Sequence, residues 1–229
     1  MAEASQSEKA EDTSRENVLR IALTKGRLEK KTTAALEKMG LDCSELSSGS
    51  RKLIYRVPNY NLEIVLAKAA DVITYVEHGV CDMGVVGKDT IMEQGSSFYE
   101  MLDLGFGKCR FALATREGYD FYGSYKTRRI ASKYPKVARE YFAHRGMDVD
   151  VIKIEGSVEL GPLLDIADAI VDIVETGSTL VENGLEPIAD IHAVSARLIV
   201  NIASMKLYKD EIFDFLGKLE CVLGEENNA

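Results

Sequence analysis

One pattern recurs along this chain and limits its fold more than anything else. A β-branched or apolar run gives way to a short turn of small or basic residues, and the turn opens a helix. Val18–Leu23 passes through Thr24-Lys25-Gly26-Arg27 into an amphipathic stretch from Leu28 to Met39, with Gly40 as its stop. Leu62–Leu66 precedes Ala69–His78, ended by Gly79, and Asp82–Gly87 precedes Lys88–Gln94, ended by Gly95. Arg129–Ser132 leads through Lys133-Tyr134-Pro135 into a helix running to His144, with proline suitably placed in its first turn. Val149–Ile154 runs through Glu155-Gly156-Ser157-Val158-Glu159 into Leu160–Ala167, and Ala169–Val174 through Glu175-Thr176-Gly177-Ser178-Thr179 into a short helix. Strands alternating with helices over such short links predict an α/β fold of mainly parallel sheets with helices on their faces.

Two strands break the cycle. Phe106–Thr115 is expected to leave the first sheet, and the strand read over Ala193–Asn201 to return to it through Leu198–Asn201. The prediction is two lobes joined by two crossing strands, with a cleft at the hinge. Residues 17–106 and 188–229 form lobe I, which also holds a final helix over Lys209–Leu219, and residues 107–187 form lobe II. Residues 1–16, rich in Ser, Glu and Lys, read as a disordered tail.

Composition removes several function classes. Of 229 residues, 46% are hydrophobic and 28% charged, as in an ordinary globular protein. The net charge of −9 argues against nucleic-acid binding. No apolar run approaches the roughly 20 residues that span a bilayer, and the N-terminus lacks the order of a secretory signal. The four cysteines, Cys43, Cys81, Cys109 and Cys221, show neither zinc-ligand nor disulfide spacing, which fits a reducing cytoplasm.

The turns carry the chemistry. Thr176-Gly177-Ser178-Thr179 ends a buried strand and opens a helix, so it offers backbone N–H groups to a phosphate. Asp172 and Glu175 lie just before it and can accept hydrogen bonds from sugar hydroxyls or reach a phosphate-bound Mg2+. The same residues also suit a plain helix cap. Lys25, Gly26 and Arg27 after the first strand, and Arg51, Lys52 and Arg56 around a second polar loop, concentrate positive charge in an acidic chain. Arginine is a planar fork for phosphate, and ligands of open α/β sheets bind at the carboxyl ends of strands. Lys133 and Ser157 are further ligand candidates. Glu159 also reads as a helix-terminus acid, and Asp71 as a structural one. No Ser/His/Asp or Cys/His set suggests a covalent nucleophile.

Taken together, Thr24–Arg27, Ser50–Leu53, Ala70-Asp71-Val72 with Tyr75–Gly79, Asp82–Asp89, Gly156–Glu159 and Asp172–Leu180 resemble the ATP phosphoribosyltransferase family over about Val18 to Leu216. The resemblance implies two lobes like those of periplasmic binding proteins, and the first reaction of histidine biosynthesis. In it, adenine N1 of ATP attacks C1 of 5-phosphoribosyl 1-pyrophosphate and releases pyrophosphate, with Mg2+ required. It puts the phosphoribosyl loop on Asp172, Glu175, Thr176, Gly177, Ser178 and Thr179, and the catalytic arginines on Arg27 and Arg51. Further substrate contacts match Lys25, Gly26, Asp71, Lys133, Ser157 and Glu159; no metal ligands are assigned. The chain stops soon after the Lys209–Leu219 helix and so resembles the short form. That implies a regulatory subunit related to histidyl-tRNA synthetase, in a hetero-octamer. Two other readings stand beside this one: a phosphoribosyltransferase with another acceptor base, and a two-lobed solute-binding protein without catalysis.

Overall fold

The structure is a computed structural model that describes residues 18–47, 51–95, 97–123 and 126–227. The expected tail over 1–16 and Ser50 of the basic loop lie outside the described residues. In chain order, β1 (Leu19–Thr24), α1 (Arg27–Lys38), α2 (Ser44–Ser47), β2 (Ile54–Val57), β3 (Leu62–Ala67), α3 (Ala69–Glu77), β4 (Met83–Gly87), α4 (Lys88–Gln94) and β5 (Phe98–Asp103) build lobe I. The chain then crosses to β6 (Cys109–Arg116), β7 (Arg128–Ser132), α5 (Pro135–Ala143), β8 (Val149–Lys153), α6 (Leu160–Leu163), β9 (Ala169–Val174), α7 (Ser178–Glu182) and β10 (Leu185–Val194). It returns to lobe I with β11 (Ala196–Asn201), α8 (Ser204–Leu207) and α9 (Lys209–Asn227).

Lobe I holds a sheet in the order β2-β3-β1-β4-β11-β5, and lobe II one in the order β10-β6-β9-β7-β8. The expectation of mainly parallel sheets needs correction. Among the described residues only β1–β3, β1–β4, β7–β8 and β7–β9 pair in parallel, and the other five pairings are antiparallel. Parallel strands sit where a helix makes the crossover. β2 reaches β3 through a tight turn, and the strands at the lobe crossings enter against the local direction, so all of these run antiparallel.

Sheet membership also moves one lobe boundary. β10 was expected to lie partly in lobe I from residue 188, but it pairs with β6 along its length, and the return crossing falls at Ser195. β5 was not read as a strand, and of β10 only its last two residues were, within one strand over Ala193–Asn201 that the structure breaks at Ser195. Both are edge strands of mixed polarity, and β10 carries Pro187 and two register shifts, features that hide a strand from a periodicity search. The helix expected over Leu160–Ala167 ends at Leu163. Asp165 turns left-handed at φ 56°, and the N–H groups of Ile166 and Ala167 both fold back onto the Gly161 carbonyl. This reversal aims Asp168 at the backbone N–H of Arg129, at 2.7 Å, and starts β9 in register with β7.

Both faces of each sheet are buried. In β1, Ile21 and Leu23 pack under α1 and α9 with Leu36 and Phe215, while Ala22 between them faces α3 with Val72 and Val76. In β6, Phe111 and Leu113 pack beneath α5 with Phe142, while Ala112 and Ala114 face α6 and α7 with Ile170 and Leu180. The crossings are tied together. Leu104 and Phe106 bracket Ala196 through N–H···O bonds of 3.0 and 2.9 Å, Lys88 N–H donates to the Ser195 carbonyl, and Ser195 Oγ donates to Asp103. Among the described residues no helix is long and apolar enough to cross a membrane.

Candidate active site in the interlobe cleft

The carboxyl ends of β1 and β3 in lobe I face those of β7 and β9 in lobe II. A cavity of about 370 Å3 lies there, lined by Arg27 from lobe I and by Cys109, Glu159, Asp172 and the whole run Glu175–Thr179 from lobe II.

The bend after β9 is open to solvent. Gly177 takes the left-handed region at φ 84°, which a glycine adopts at no steric cost, and α7 starts directly after it. No side chain caps this helix, so the first-turn N–H groups of Thr179 and Leu180 have no intrahelical acceptor. Thr176 Oγ1 sits 3.1 Å from Ser178 Oγ, which folds the two hydroxyls over the bend. A ring of backbone donors and hydroxyls at a helix start suits a phosphate group.

Arg27 is the first residue of α1. The turn before it is shaped by Gly26, at φ 101°, whose N–H is held by the Glu29 carboxylate at 3.0 Å. Its guanidinium crosses the cleft and pairs with Glu175, which raises its pKa further. Both side chains remain 55% exposed, so the pair can be exchanged for a ligand.

Asp172 is the half-buried acid of the cavity. Burial pushes its carboxyl up to about 6. The bond from Ile173 N–H and nearby Lys133 oppose that shift, and the carboxylates of Glu159 and Asp89 add to it. Near neutrality it is a carboxylate held in an unfavourable field, poised to accept a hydrogen bond or a positive charge.

The cavity thus gathers Arg27, Asp172, Glu175, Thr176, Gly177, Ser178, Thr179 and Glu159 from the sequence expectations. Others lie outside its lining. Arg51 is exposed beside β2, whose start adjoins the carboxyl end of β3 through the bond from Leu66 N–H to the Leu53 carbonyl. Lys25 is exposed in the β1–α1 turn, where its N–H is held by the Ala67 carbonyl. Asp71 is in the first turn of α3, and Ser157 lies exposed in the loop before α6. Lys133 instead lines a second cavity of about 540 Å3 between the lobes, with Lys68, Asp89, Glu93, Tyr134 and Lys153. Tyr134 Oη donates to Asp89 across the cleft at 3.0 Å, and both residues line this cavity.

Cys109 was not expected in the site. The β6–β9 register pairs Arg110 with Val174, which brings Cys109 beside Glu175. Only long-range pairing reveals this neighbour, and no local motif marks it. Burial raises its thiol pKa.

A sequence model of the ATP phosphoribosyltransferase family matches residues 68–221. An ATP phosphoribosyltransferase of Clostridium kluyveri is 56% identical over 93% of this chain and 98% of its own length. One from Listeria monocytogenes is 55% identical over 91% of this chain and 97% of its own. Among solved structures, a chain of the ATP phosphoribosyl transferase (HisG:HisZ) complex from Thermotoga maritima superposes with a TM-score of 0.80. It shares 32% identity and is covered over 99% of its length by 91% of this chain. The periplasmic aliphatic sulphonate binding protein SsuA of Escherichia coli superposes at 0.60 with 12% identity, over 92% of this chain and 74% of its own, and so shares the fold alone.

Proposed function

The chain belongs to the ATP phosphoribosyltransferase family, and from that premise we propose how its cleft carries out the reaction. It transfers the phosphoribosyl group of 5-phosphoribosyl 1-pyrophosphate to N1 of ATP with release of pyrophosphate, the first step of histidine biosynthesis. One observation carries the assignment of roles: an open glycine bend at the end of β9 faces the Arg27 guanidinium across a cavity that also holds Asp172 and Glu175.

In this reading the Thr176–Thr179 bend holds the 5′-phosphate through backbone N–H groups and hydroxyls. Asp172 and Glu175 accept hydrogen bonds from the ribose hydroxyls and orient the ring. Alignment of this kind supplies a large part of the barrier reduction. Adenine N1 is a weak nucleophile, so the C1–O bond to pyrophosphate lengthens early and negative charge grows on the leaving group. Arg27, freed from Glu175, stabilises that charge, with Arg51 approaching from the β2 side; this is electrostatic catalysis without a covalent intermediate. Lys133, with Lys68 and Lys153 on the second cavity, offers ammonium groups for the triphosphate of ATP. Lys25, Gly26, Asp71, Ser157 and Glu159 complete the surroundings of the two substrates.

Among the described residues no group of three or more acids, histidines or cysteines is arranged to hold a metal. The donor set of the cavity, Asp172, Glu159 and Glu175, fits Mg2+ that arrives on substrate phosphates and gains one or two carboxylates. When bound, Mg2+ would neutralise charge on the departing pyrophosphate.

The Thermotoga maritima relative is solved as a HisG:HisZ complex, which supports assembly of this chain with a HisZ-type regulatory subunit. We take the assembly to be a cytoplasmic hetero-octamer in which that partner senses histidine. The test mixes the chain, alone and with such a partner, with ATP, phosphoribosyl pyrophosphate and Mg2+, and follows the N1-adduct by ultraviolet absorbance. Adduct formation with ATP and not with other nucleotides is expected; release of pyrophosphate only with another base would overturn the acceptor assignment.

A further inference from the structure

Helix α5 of lobe II cannot complete its own N-terminus. Its N-cap is Tyr134, which provides no capping bond, and no acid lies in its first turn. Pro135 at the helix start has no N–H to offer, but Lys136 and Val137 do. The acceptor for both comes from the other lobe. Glu93, near the end of α4, takes the Lys136 N–H at 2.9 and 3.2 Å through its two oxygens, and the Val137 N–H at 3.2 Å. A carboxylate at this position also satisfies the positive end of the helix dipole. Five residues before Glu93 on the chain, α4 begins at the hinge, where Lys88 N–H is tied to the Ser195 carbonyl. Four residues before Glu93, one α-helical turn, Asp89 accepts the Tyr134 hydroxyl across the same junction.

We propose that Glu93 is a positioning residue for the phosphoribosyl transfer. By capping α5 from the opposite lobe it sets the angle at which the lobes face each other. It thereby sets the separation between Arg27 on lobe I and the Thr176–Thr179 bend on lobe II. The argument has three parts. The contact joins the lobes and is absent from either lobe alone. It consists of backbone N–H groups on a rigid helix held by a side chain on a second helix, so its geometry is transmitted to both bodies. It lies beside the hinge, whereas the Arg27–Glu175 pair at the cavity is exposed and must open for substrate. A clasp near the hinge and a displaceable pair at the cavity together describe a cleft that is pre-set but can admit a ligand. Preorganisation of this kind is lost as affinity for every ligand that bridges the lobes.

This inference rests on the proposed reaction for its kinetic arm and on geometry alone for its distance arm. Glu93→Ala and Glu93→Gln are compared with the unaltered chain in its assembled form. Nitroxides at Lys30→Cys and Asp148→Cys, in a background carrying Cys109→Ser and Cys221→Ser, report the lobe separation. The expected result for Glu93→Ala is a longer and broader separation that returns to the unaltered value with both substrates bound. KM for ATP and for phosphoribosyl pyrophosphate should rise together, on the order of tenfold, as for loss of one helix cap. Glu93→Gln, which keeps one acceptor oxygen, should restore most of both. A rise confined to KM for ATP would mean that Glu93 touches the nucleotide, and would overturn the clasp. So would an unchanged separation, or a lowered melting temperature with both KM values intact. If Glu93→Ala does not fold, Glu93→Met, which keeps the side-chain volume without an acceptor oxygen, carries the same comparison. If the unaltered chain forms no N1-adduct, the proposed reaction fails while the distance measurement still decides the clasp.

Discussion

Asp172→Asn should make the chain more stable at neutral pH and less active. The folded protein raises the Asp172 carboxyl from 3.8 to about 6, chiefly through burial. A raised folded-state pKa favours the folded chain at low pH, and that advantage is lost as pH climbs from about 4 through about 6. Above that window the ionised form costs about 3 kcal/mol, at about 1.4 kcal/mol for each of roughly two pKa steps. At about pH 5 only about half of the cost has developed by the same linkage relation. Asparagine carries no charge and escapes the cost, although it accepts the Ile173 N–H bond less well. The gain in stability from Asp172→Asn should therefore be larger, by on the order of 1 kcal/mol, at pH 7.5 than at pH 5. For a chain of this size that corresponds to a difference of roughly 2–4 °C in the Tm shift. Thermal melts of both proteins at the two pH values read it directly. In the same variant, kcat/KM for phosphoribosyl pyrophosphate should fall and lose its rise through pH 6, because ribose hydroxyls donate to the ionised carboxylate. A Tm shift equal at the two pH values would refute the reasoning, since a pH-independent change reports packing and not a buried charge.

Three further outcomes follow from the site. Gly177→Val forces a β-branched residue into φ 84°, so calorimetry should find phosphoribosyl pyrophosphate bound at least about tenfold more weakly; equal affinity would remove the bend from the phosphate site. Arg27→Ala and Arg51→Ala should each lower kcat by about 10²-fold, comparable to deleting one oxyanion donor, and an effect confined to KM would reduce either residue to a binding role. The half-buried Cys109 thiol, raised by its burial, should be alkylated slowly at neutral pH and more slowly still with phosphoribosyl pyrophosphate bound; mass spectrometry showing no protection would separate Cys109 from the donor site.

Local chemistry along the chain was enough to mark the strand-to-helix turns. Gly26, Gly40, Gly79 and Gly177 all stand at positive φ where a stop or a bend was expected. Thr176–Thr179 opened a helix, and Asp172 and Glu175 stood before it, because caps, periodicity and turn residues act over a few neighbours and are written in a few neighbours. The division into two lobes with crossing strands was legible for the same reason: the alternation of elements falters where the chain changes sheets. What required the folded molecule was every relation between distant segments. The antiparallel edges, the assignment of β10 to lobe II, and the place of Cys109 beside Glu175 depend on strand pairing, which nothing in a short window encodes. The raised Asp172 carboxyl depends on its burial and on charges brought from the β7–α5 turn, α4 and the start of α6. The carboxylate on the α5 N-terminus depends on an acid 42 residues earlier in the chain, since Lys136 and Val137 are 43 and 44 away from Glu93 and Pro135 precedes them. Hydrophobic pattern decides which face of an element is buried, but it does not decide which partner buries it. That choice belongs to the packing of the whole chain, and the chemistry of this cleft follows from it.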